Sequence, residues 1–480
     1  MPIRKYLFAR NQVCTGNGAI GPLVRYSPNV APYTLFSMAS AVPSRWYERP
    51  RNIFWVGLVV RILCIVVAHS YKVRVRDDHW EFGYEAGRIA RNVVTGHGYS
   101  SPFNAPSGPT AWLAPLFPLL MAGCFKVFGV YTKLSVFAIM VIDSVFSAAT
   151  IPAVYEIAKR CFDSRGLARR VSTMAAPVAV WAAWLWALHP EVIQYPMHWI
   201  WEMSLSTMLF TWAVVFALRL RAVGEGVHED SREASTLGRW LMMGLCWGLL
   251  ALSNTTLLIC WPGVVGWILW PQKSYGRAWL GAVLSFLMVW VCLVPWIVRN
   301  ERTMHAFIPA RSNFGIELWN ATVWYHDALP WGAAVPLSPT DPEFKLFQQM
   351  GEVKYAKMRQ KEAIEHIKAR PDLYAKFTAY RLQYFWFIWR HPSDAKVVPE
   401  TLRLWNYGIV SLCGLFGLAL ALKRRVPGAW MMFWVFLLMP IPYYLVTIQA
   451  RFRYPMEPLI CVLGVYLFRS AQSRAREAKE

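Results

Sequence analysis

Three carboxylates in the first long polar segment have a spacing that suits acid–base chemistry. Asp78, Glu81 and Glu85 stand at positions i, i+3 and i+7, so a helix over 76–94 would place them on one face. They follow an apolar run over 53–68, and charged groups beside a bilayer indicate function because their desolvation is costly. A solvated acidic helix face paired with nearby arginines is the alternative, and the spacing leaves both open.

Glycines and prolines determine where this segment is helical. Gly96 and Gly98 flank His97 and should end the helix. Three prolines and one glycine should then keep a new helix from starting before Thr110: Pro102, Pro106, Pro109 and Gly108.

The composition indicates an all-α polytopic membrane protein. The chain has 480 residues, of which 56% are hydrophobic, and repeated apolar runs are long enough to cross a bilayer. Its net charge of +22 comes largely from short segments between those runs. The positive-inside rule explains such a pattern, so we expect no nucleic-acid partner. Basic residues on the outer side would attract anionic lipid phosphates.

Cysteine and histidine give no sign of a dedicated metal centre. The nine cysteines include no Cys-x-x-Cys pair, and the ten histidines show no i, i+4 pairing. We therefore predict no zinc site and no metal ligands. The residues leave the need for a divalent cation open, because no ligand set has the spacing of a cage.

The alternation of basic segments predicts about ten spans with both termini inside. The region over 111–127 is short and contains Pro115, Pro118 and Gly123, so we assign it to a helix in the outer interface. The predicted organisation has four parts: a basic cytoplasmic lead-in over 1–51, a seven-span module over 52–298 with its first outer loop at 70–133, a long outer loop over 299–400, and C-terminal spans with a basic tail over 401–480.

Four sequence segments together resemble the C-type (GT-C) membrane glycosyltransferases. They are RDDHWEFGYEAGRIARNVVTGHGYSSPF from 76, GPTAWLAPLFPLL from 108, PWIVRNERTMHAFIPARSNFGIELWN from 295 and RFRYPMEP from 451. The match is to the RgtA/B/C/D-like and protein-mannosyltransferase-like members, which use polyprenyl-phosphate sugars. The resemblance implies a GT-C-like helical bundle with an acidic first outer loop and a long outer loop after the seventh span.

The resemblance also implies a reaction. An Asp of the first outer loop would act as general base on a hydroxyl of a lipid, glycan or protein acceptor. That hydroxyl would attack the anomeric carbon of a polyprenyl-phosphate sugar with inversion. Phosphate is a good leaving group, so no protein acid is required. We favour Asp78 as the base because Glu81 and Glu85 share its predicted face and would raise its pKa; Asp77 is the alternative.

Further roles follow from matched positions. Arg311 matches a position that holds the lipid phosphate, and its planar fork suits phosphate oxygens. Arg451 and Arg453 either do likewise or anchor a span end. Glu202 matches a second acid near the site, with helix capping as its alternative. The remaining candidate substrate-binding residues are Glu81, Glu85, Tyr84 and His97.

Two other functions share many of these features: a lipid-linked-sugar flippase or transporter, and a polymer ligase that uses a lipid-diphosphate donor. Transporters tend to show paired halves and charges at the membrane midplane. Here the charges lie at span ends, except Asp143, which we expect to hydrogen-bond within the bundle. We expect a bacterial inner-membrane protein whose active site faces the periplasm.

Overall fold

Helices form nearly all the regular structure of the chain. The computed structural model describes residues 45–73, 82–163, 177–224, 232–270, 275–323, 340–388 and 397–477. Among these residues, strand-like pairing is limited to an isolated antiparallel bridge between Ser100 and Pro109. The α-helices are, in chain order, α1 Pro50–Val67, α2 Glu85–Val94, α3 Leu116–Phe128, α4 Lys133–Phe162, α5 Val178–Leu188, α6 Pro190–His198, α7 Met203–Leu220, α8 Arg232–Ala251, α9 Cys260–Leu269, α10 Tyr275–Met304, α11 Phe314–Asn320, α12 Pro342–Met350, α13 Glu352–Ala369, α14 Pro371–Trp386, α15 Val397–Lys423, α16 Ala429–Leu438, α17 Ile441–Leu445 and α18 Glu457–Glu477.

Five helices of the described residues are long and apolar enough to cross a membrane: α1, α4, α7 and most of α10 and α15. Five further apolar stretches have 10–17 residues, and α16 and α17 together form one of them over Ala429–Leu445. The predicted all-α polytopic membrane architecture is therefore confirmed. The number of about ten spans and their sidedness remain predictions.

The membrane core is built around α4, against which α1, α5 and α7 pack. Arg61 of α1 is fully buried within it. Its guanidinium donates to Ser147 Oγ at 3.0 Å, to the carbonyl oxygens of Gly57 and Ala187 at 2.9 Å, and to that of Trp186 at 3.1 Å. Neutral acceptors thus satisfy a charge that would otherwise be costly at this depth.

The first outer loop departs from its predicted helix. No helix runs unbroken over 76–94: α2 begins only at Glu85, because Gly83 and Tyr84 have φ values of 74° and 51°. Positive φ values at two successive residues interrupt a helix, so the continuous helix predicted over 76–94 is wrong at 83–84; Asp78 and Glu81 lie outside the described residues. The predicted C-terminus is confirmed, since α2 ends at Val94.

The next helix, α3, is too short to cross a bilayer by itself. Its 13 residues span about 20 Å, against a hydrocarbon core of ~30 Å. It packs against α2 and α4. This length agrees with the assignment of 111–127 to an interface helix, which stays a prediction.

The long outer loop folds onto the first one. Gly351, with φ 73°, separates two of its helices, α12 and α13. Aromatic and aliphatic side chains of both loops share one small core: Phe103, Trp112, Ile316, Phe344, Phe347, Tyr355 and Ala356. The two loops therefore form one cap at the same end of the bundle.

Candidate functional site

Four charged side chains from four separate segments come together beneath this cap. Glu85 starts α2, Glu202 directly precedes α7, Arg311 lies between α10 and α11, and Arg451 lies just before α18. Burial raises the pKa of Glu85, whereas its own backbone and the charges of Arg88, Arg451 and Arg311 lower it. The four groups are therefore close enough to interact through their charges.

Among the described residues, no carboxylate is hydrogen-bonded or ion-paired to either guanidinium group of this cluster. Arg311 donates only through Nε, to the carbonyl oxygen of Trp112 at 3.0 Å. Arg451 stacks on Trp201, with 3.7 Å between its Cζ and the ring centroid. Across the described part of the chain, no other hydrogen bond or ion pair engages either group. Both arginines are partly accessible to solvent, so their remaining N–H groups can bind a ligand.

Burial lowers the pKa of the Arg451 guanidinium, whereas Glu202 and Glu85 raise it. A guanidinium group shielded from much of the solvent keeps its charge more easily with two carboxylates nearby than alone. The balance of two carboxylates and two guanidinium groups leaves the cluster without a strong net charge. An incoming phosphate would shift that balance and pair with the arginines.

A glycine sets the approach of Glu85 to Glu202. A Cβ at Gly83, with φ 74°, would lie 2.3 Å from the carbonyl oxygen of Ile200. Only glycine fits here, and the contact fixes the start of α2 beside the segment that carries Glu202. Glu202 is also the N-cap residue of α7, so its alternative role stays open, although its side chain makes no capping hydrogen bond there.

Glu352 supports the backbone around Arg311 and is a residue that sequence reasoning missed. Its Oε1 accepts from the backbone N–H of Ala111 at 2.7 Å and from Ser312 Oγ at 2.5 Å, and its Oε2 accepts from the Thr110 hydroxyl. The residue is 4% exposed, and burial raises the pKa of its carboxyl. The only sequence signal was an acidic residue directly after Gly351, which is typical of an ordinary helix N-terminus.

The alternative to a phosphate role for Arg311 is an ion pair with Glu317 or Asp327 that orders the loop, and the structure shows no pair with Glu317. Glu317 accepts from Asn313 Nδ2 at 3.0 Å and from the Thr447 hydroxyl. The other alternative partner, Asp327, lies outside the described residues. Loop ordering near Arg311 thus comes from Glu352 and Glu317, both of which bind neighbouring backbone or polar groups.

Two groups inside the bundle lie near Glu202. Asp143 of α4 is 1% exposed and interacts electrostatically with Glu202. The expected hydrogen bond within the bundle is wrong, because neither of its carboxyl oxygens has a partner among the described residues. Tyr443 interacts with both Glu202 and Arg311, and its hydroxyl lies near Asn254 and Thr256.

Other candidate residues lie apart from the cluster. Arg453 is fully buried; its Nε donates to Glu457 Oε1 at 2.5 Å and its Cζ lies 3.4 Å from the Tyr407 ring centroid. His97 is exposed and contacts Thr95 Oγ1 at 2.9 Å. Their substrate roles stay predictions, as does that of Tyr84, which is 37% exposed at the start of α2.

The proposed base lies outside the described residues. Asp77, Asp78 and Glu81 all belong to the segment 74–81, which directly precedes Phe82 and the cluster that begins at Glu85. Within the described ranges, no three His, Cys, Asp or Glu side chains are grouped so that they could hold a metal ion.

Comparison with known proteins identifies relatives in structure alone. No protein-family model matches the chain, and no curated protein matches it in sequence. The apo oligosaccharyltransferase of Archaeoglobus fulgidus matches with a TM-score of 0.54 and 14% identity, over 90% of this chain and 51% of that one. The same protein with an inhibitory peptide and a dolichol-phosphate matches with a TM-score of 0.50 and 16% identity, over 89% and 52%. The chain thus spans about half the length of this oligosaccharyltransferase.

Proposed function

We propose that this chain, which has the fold of the C-type membrane glycosyltransferases, is an inverting glycosyltransferase that uses a polyprenyl-phosphate sugar. The acceptor is a hydroxyl of a lipid, glycan or protein, and the reaction takes place at the outer face of the membrane. Asp78 is the general base, with Asp77 as the alternative. Fold alone does not determine chemistry, so the proposal rests on the residues of the site.

The observation that carries the proposal is a pair of guanidinium groups that, within the described residues, bond to no carboxylate although Glu85 and Glu202 lie nearby. Arg311 and Arg451 come from segments 140 positions apart, yet both interact electrostatically with Glu85, and Arg451 also interacts with Glu202. Guanidinium groups bind phosphate oxygens bidentately, and both arginines have N–H groups to offer. Such an arrangement suits a lipid phosphate whose sugar lies among the carboxylates.

The chemistry requires one base and stabilisation of the leaving group. The base takes the acceptor hydroxyl proton while the acceptor oxygen forms a bond to the anomeric carbon. The bond from that carbon to the phosphate oxygen breaks, and its electron pair leaves with the phosphate. Arg311 and Arg451 would bind this oxygen more strongly as its negative charge grows, which lowers the barrier.

The structural neighbour supports the class of donor. The Archaeoglobus fulgidus oligosaccharyltransferase has been solved with a dolichol-phosphate, which is a polyprenyl-type lipid phosphate. Because this chain spans only about half of that protein, its acceptor cannot be carried over. The donor class is part of our proposal, and the sugar is left to experiment.

Mass spectrometry of lipids and glycans from cells with and without the gene tests the proposal. We expect one or more glycosylated products to disappear, while the polyprenyl-phosphate sugar accumulates. Complementation with Arg311→Ala or Arg451→Ala should fail to restore the product although the protein is present in the membrane. Unchanged products would instead support the flippase alternative if proteoliposomes that contain the protein move a lipid-linked sugar between leaflets and protein-free liposomes do not.

A further inference from the structure

A cavity opens beside the first outer loop and is separate from the four charged side chains of the site. Its volume is about 1140 Å³. The end of α2 and the turn after it form one side, and the outer end of α10 forms the other. None of the four charged residues of the site lines it, so we call it the lateral cavity.

The deep part of the lateral cavity is apolar. Its lining there includes Leu119, Leu252, Cys292, Pro295 and Trp296. Next to it on α10, Val291 and Val294 are 64% and 49% exposed, as expected for a helix face turned toward lipid. The cavity is therefore continuous with a face of α10 that lipid chains can contact.

Two arginines line the same cavity; the hydrogen bonds of Arg299 go to neutral acceptors, and the buried carboxyl of Glu352 lies close enough to interact with its charge. Arg299 donates to the carbonyl oxygen of Thr110 at 2.6 Å and to that of Tyr99, and its Cζ lies 5.3 Å from the Tyr99 ring centroid. Arg91 lies 6.0 Å from the Tyr131 ring centroid. Among the described residues, no carboxylate is bonded to either guanidinium group.

We infer that the lateral cavity binds the phosphate-bearing head group of an anionic lipid of the outer leaflet. Arg91 and Arg299 hold the phosphate, with His97 and Thr303 at the same opening, and the acyl chains follow Leu119 and the exposed face of α10. A soluble anion would leave the apolar wall in water, and a neutral lipid would leave Arg91 without a counter-charge among the described residues.

This site goes beyond the proposed donor site because a segment of the first outer loop separates the two. Arg299 binds the carbonyl oxygen of Thr110, while Arg311 binds that of Trp112. The two arginines therefore attach to neighbouring carbonyls of one stretch, 110–112, and only Arg311 belongs to the charged cluster. A lipid in the lateral cavity would fasten this stretch to α10 and stabilise the cap.

Native mass spectrometry of the full chain tests the inference. The protein is released from nanodiscs of phosphatidylcholine, alone or mixed with phosphatidylglycerol, and the retained lipid is counted. We expect phosphatidylglycerol to be retained in preference. Arg91→Gln should lower this retention about fivefold, which is the effect of one cation beside an anionic lipid. Lys126→Gln removes an exposed charge of α3 outside the cavity and should have little effect.

Cys292 provides an independent measurement because its side chain lines the cavity. Its alkylation by N-ethylmaleimide, followed at the peptide level, should be several-fold slower in discs that contain phosphatidylglycerol. Leu119→Trp should block the cavity and remove that difference. Leu280→Trp, at an exposed position of α10 outside the cavity, should preserve it.

Three results would each overturn the inference. The first is equal retention of the two lipids together with equal alkylation of Cys292 in both kinds of disc. The second is an equal loss of retention in Arg91→Gln and Lys126→Gln, which would indicate a nonspecific charge effect. The third is protection of Cys292 by inorganic phosphate in phosphatidylcholine discs, which would make the ligand a free anion rather than a lipid. None of these readouts depends on sugar transfer.

Discussion

Arginines that look alike in the sequence fall into two environments in the structure. Arg61 and Arg453 are fully buried, and every neighbour they bind belongs to the structural core. Arg311 and Arg451 are partly accessible, and they keep N–H groups without a protein partner in the described residues. The first pair holds helices together, whereas the second pair is placed to bind an anion.

The comparison teaches that charge and position in the chain do not separate the two roles. Arg451 and Arg453 are two residues apart in the same RFRYPMEP motif. One stacks on Trp201 beside two carboxylates, and the other donates to Glu457 of α18. Because a 3-10 turn directs side chains two residues apart to different sides, one motif supplies both a site residue and a structural one.

The largest expected effect lies at the proposed base. Asp78→Asn should lower the rate of transfer by ~10²–10⁴ because an amide cannot take the proton from the hydroxyl of the acceptor substrate. Protein yield and thermal stability should stay near wild type. Radiolabelled sugar transfer in membranes measures the rate, and Asp77→Asn is the matched control with a smaller effect. Full activity of Asp78→Asn, with loss in Asp77→Asn, would assign the base to Asp77.

Replacement of Arg311 should affect the reaction far more than the fold. Arg311→Ala should reduce kcat/KM for the lipid donor about 10- to 100-fold, since a hydrogen bond to a charged group contributes ~1.5–3 kcal/mol. Arg311→Lys should recover only part, because an ammonium keeps the charge but loses the fork. Donor titrations with purified protein measure both. Unchanged donor kinetics with a lower unfolding temperature would move Arg311 into the structural group.

Replacement of Arg61 should show the opposite pattern. Arg61→Met leaves the carbonyl oxygens of Trp186 and Ala187 without their donor, at a cost of about 1–3 kcal/mol for each unsatisfied group. We expect a lower unfolding temperature in detergent and less protein in the membrane. The specific activity of the folded fraction should be retained. If activity fell at wild-type stability, the comparison between the two environments would fail.

The smallest effect concerns pH and the network of Arg453. Burial and the neighbouring Glu457 raise the pKa of Glu191 to about 7, whereas Arg453 lowers it. A carboxyl whose folded pKa is raised stabilises the fold at low pH and loses that contribution as pH rises through the folded value. Thermal stability should therefore fall between about pH 4.5 and pH 7. Glu191→Gln should flatten that slope, and an unaltered slope would exclude Glu191 as its source.

Local patterns in the sequence determined much of what the structure contains. Apolar runs of sufficient length predicted the helical membrane architecture. The bilayer core offers no hydrogen-bond partners, and a single apolar segment satisfies its own backbone groups by forming a helix. Gly96 and Gly98 predicted the end of α2, and the prolines after them predicted the gap before α3. Four of the candidate site residues, Glu85, Glu202, Arg311 and Arg451, do meet in one cluster.

Tertiary structure decided what those residues do beside one another. Gly83, with its positive φ and its close approach to Ile200, interrupts the stretch over which one continuous helix was predicted. The roles of Arg451 and Arg453 depend on which helices pack around them, and Glu352 acts on a loop more than 200 positions away. Hydropathy and spacing report on one segment at a time, whereas a binding site depends on contacts between segments. The sequence by itself therefore determined a helical membrane protein with candidate charges, and only the packing of its cap decided which charges stay available for a ligand.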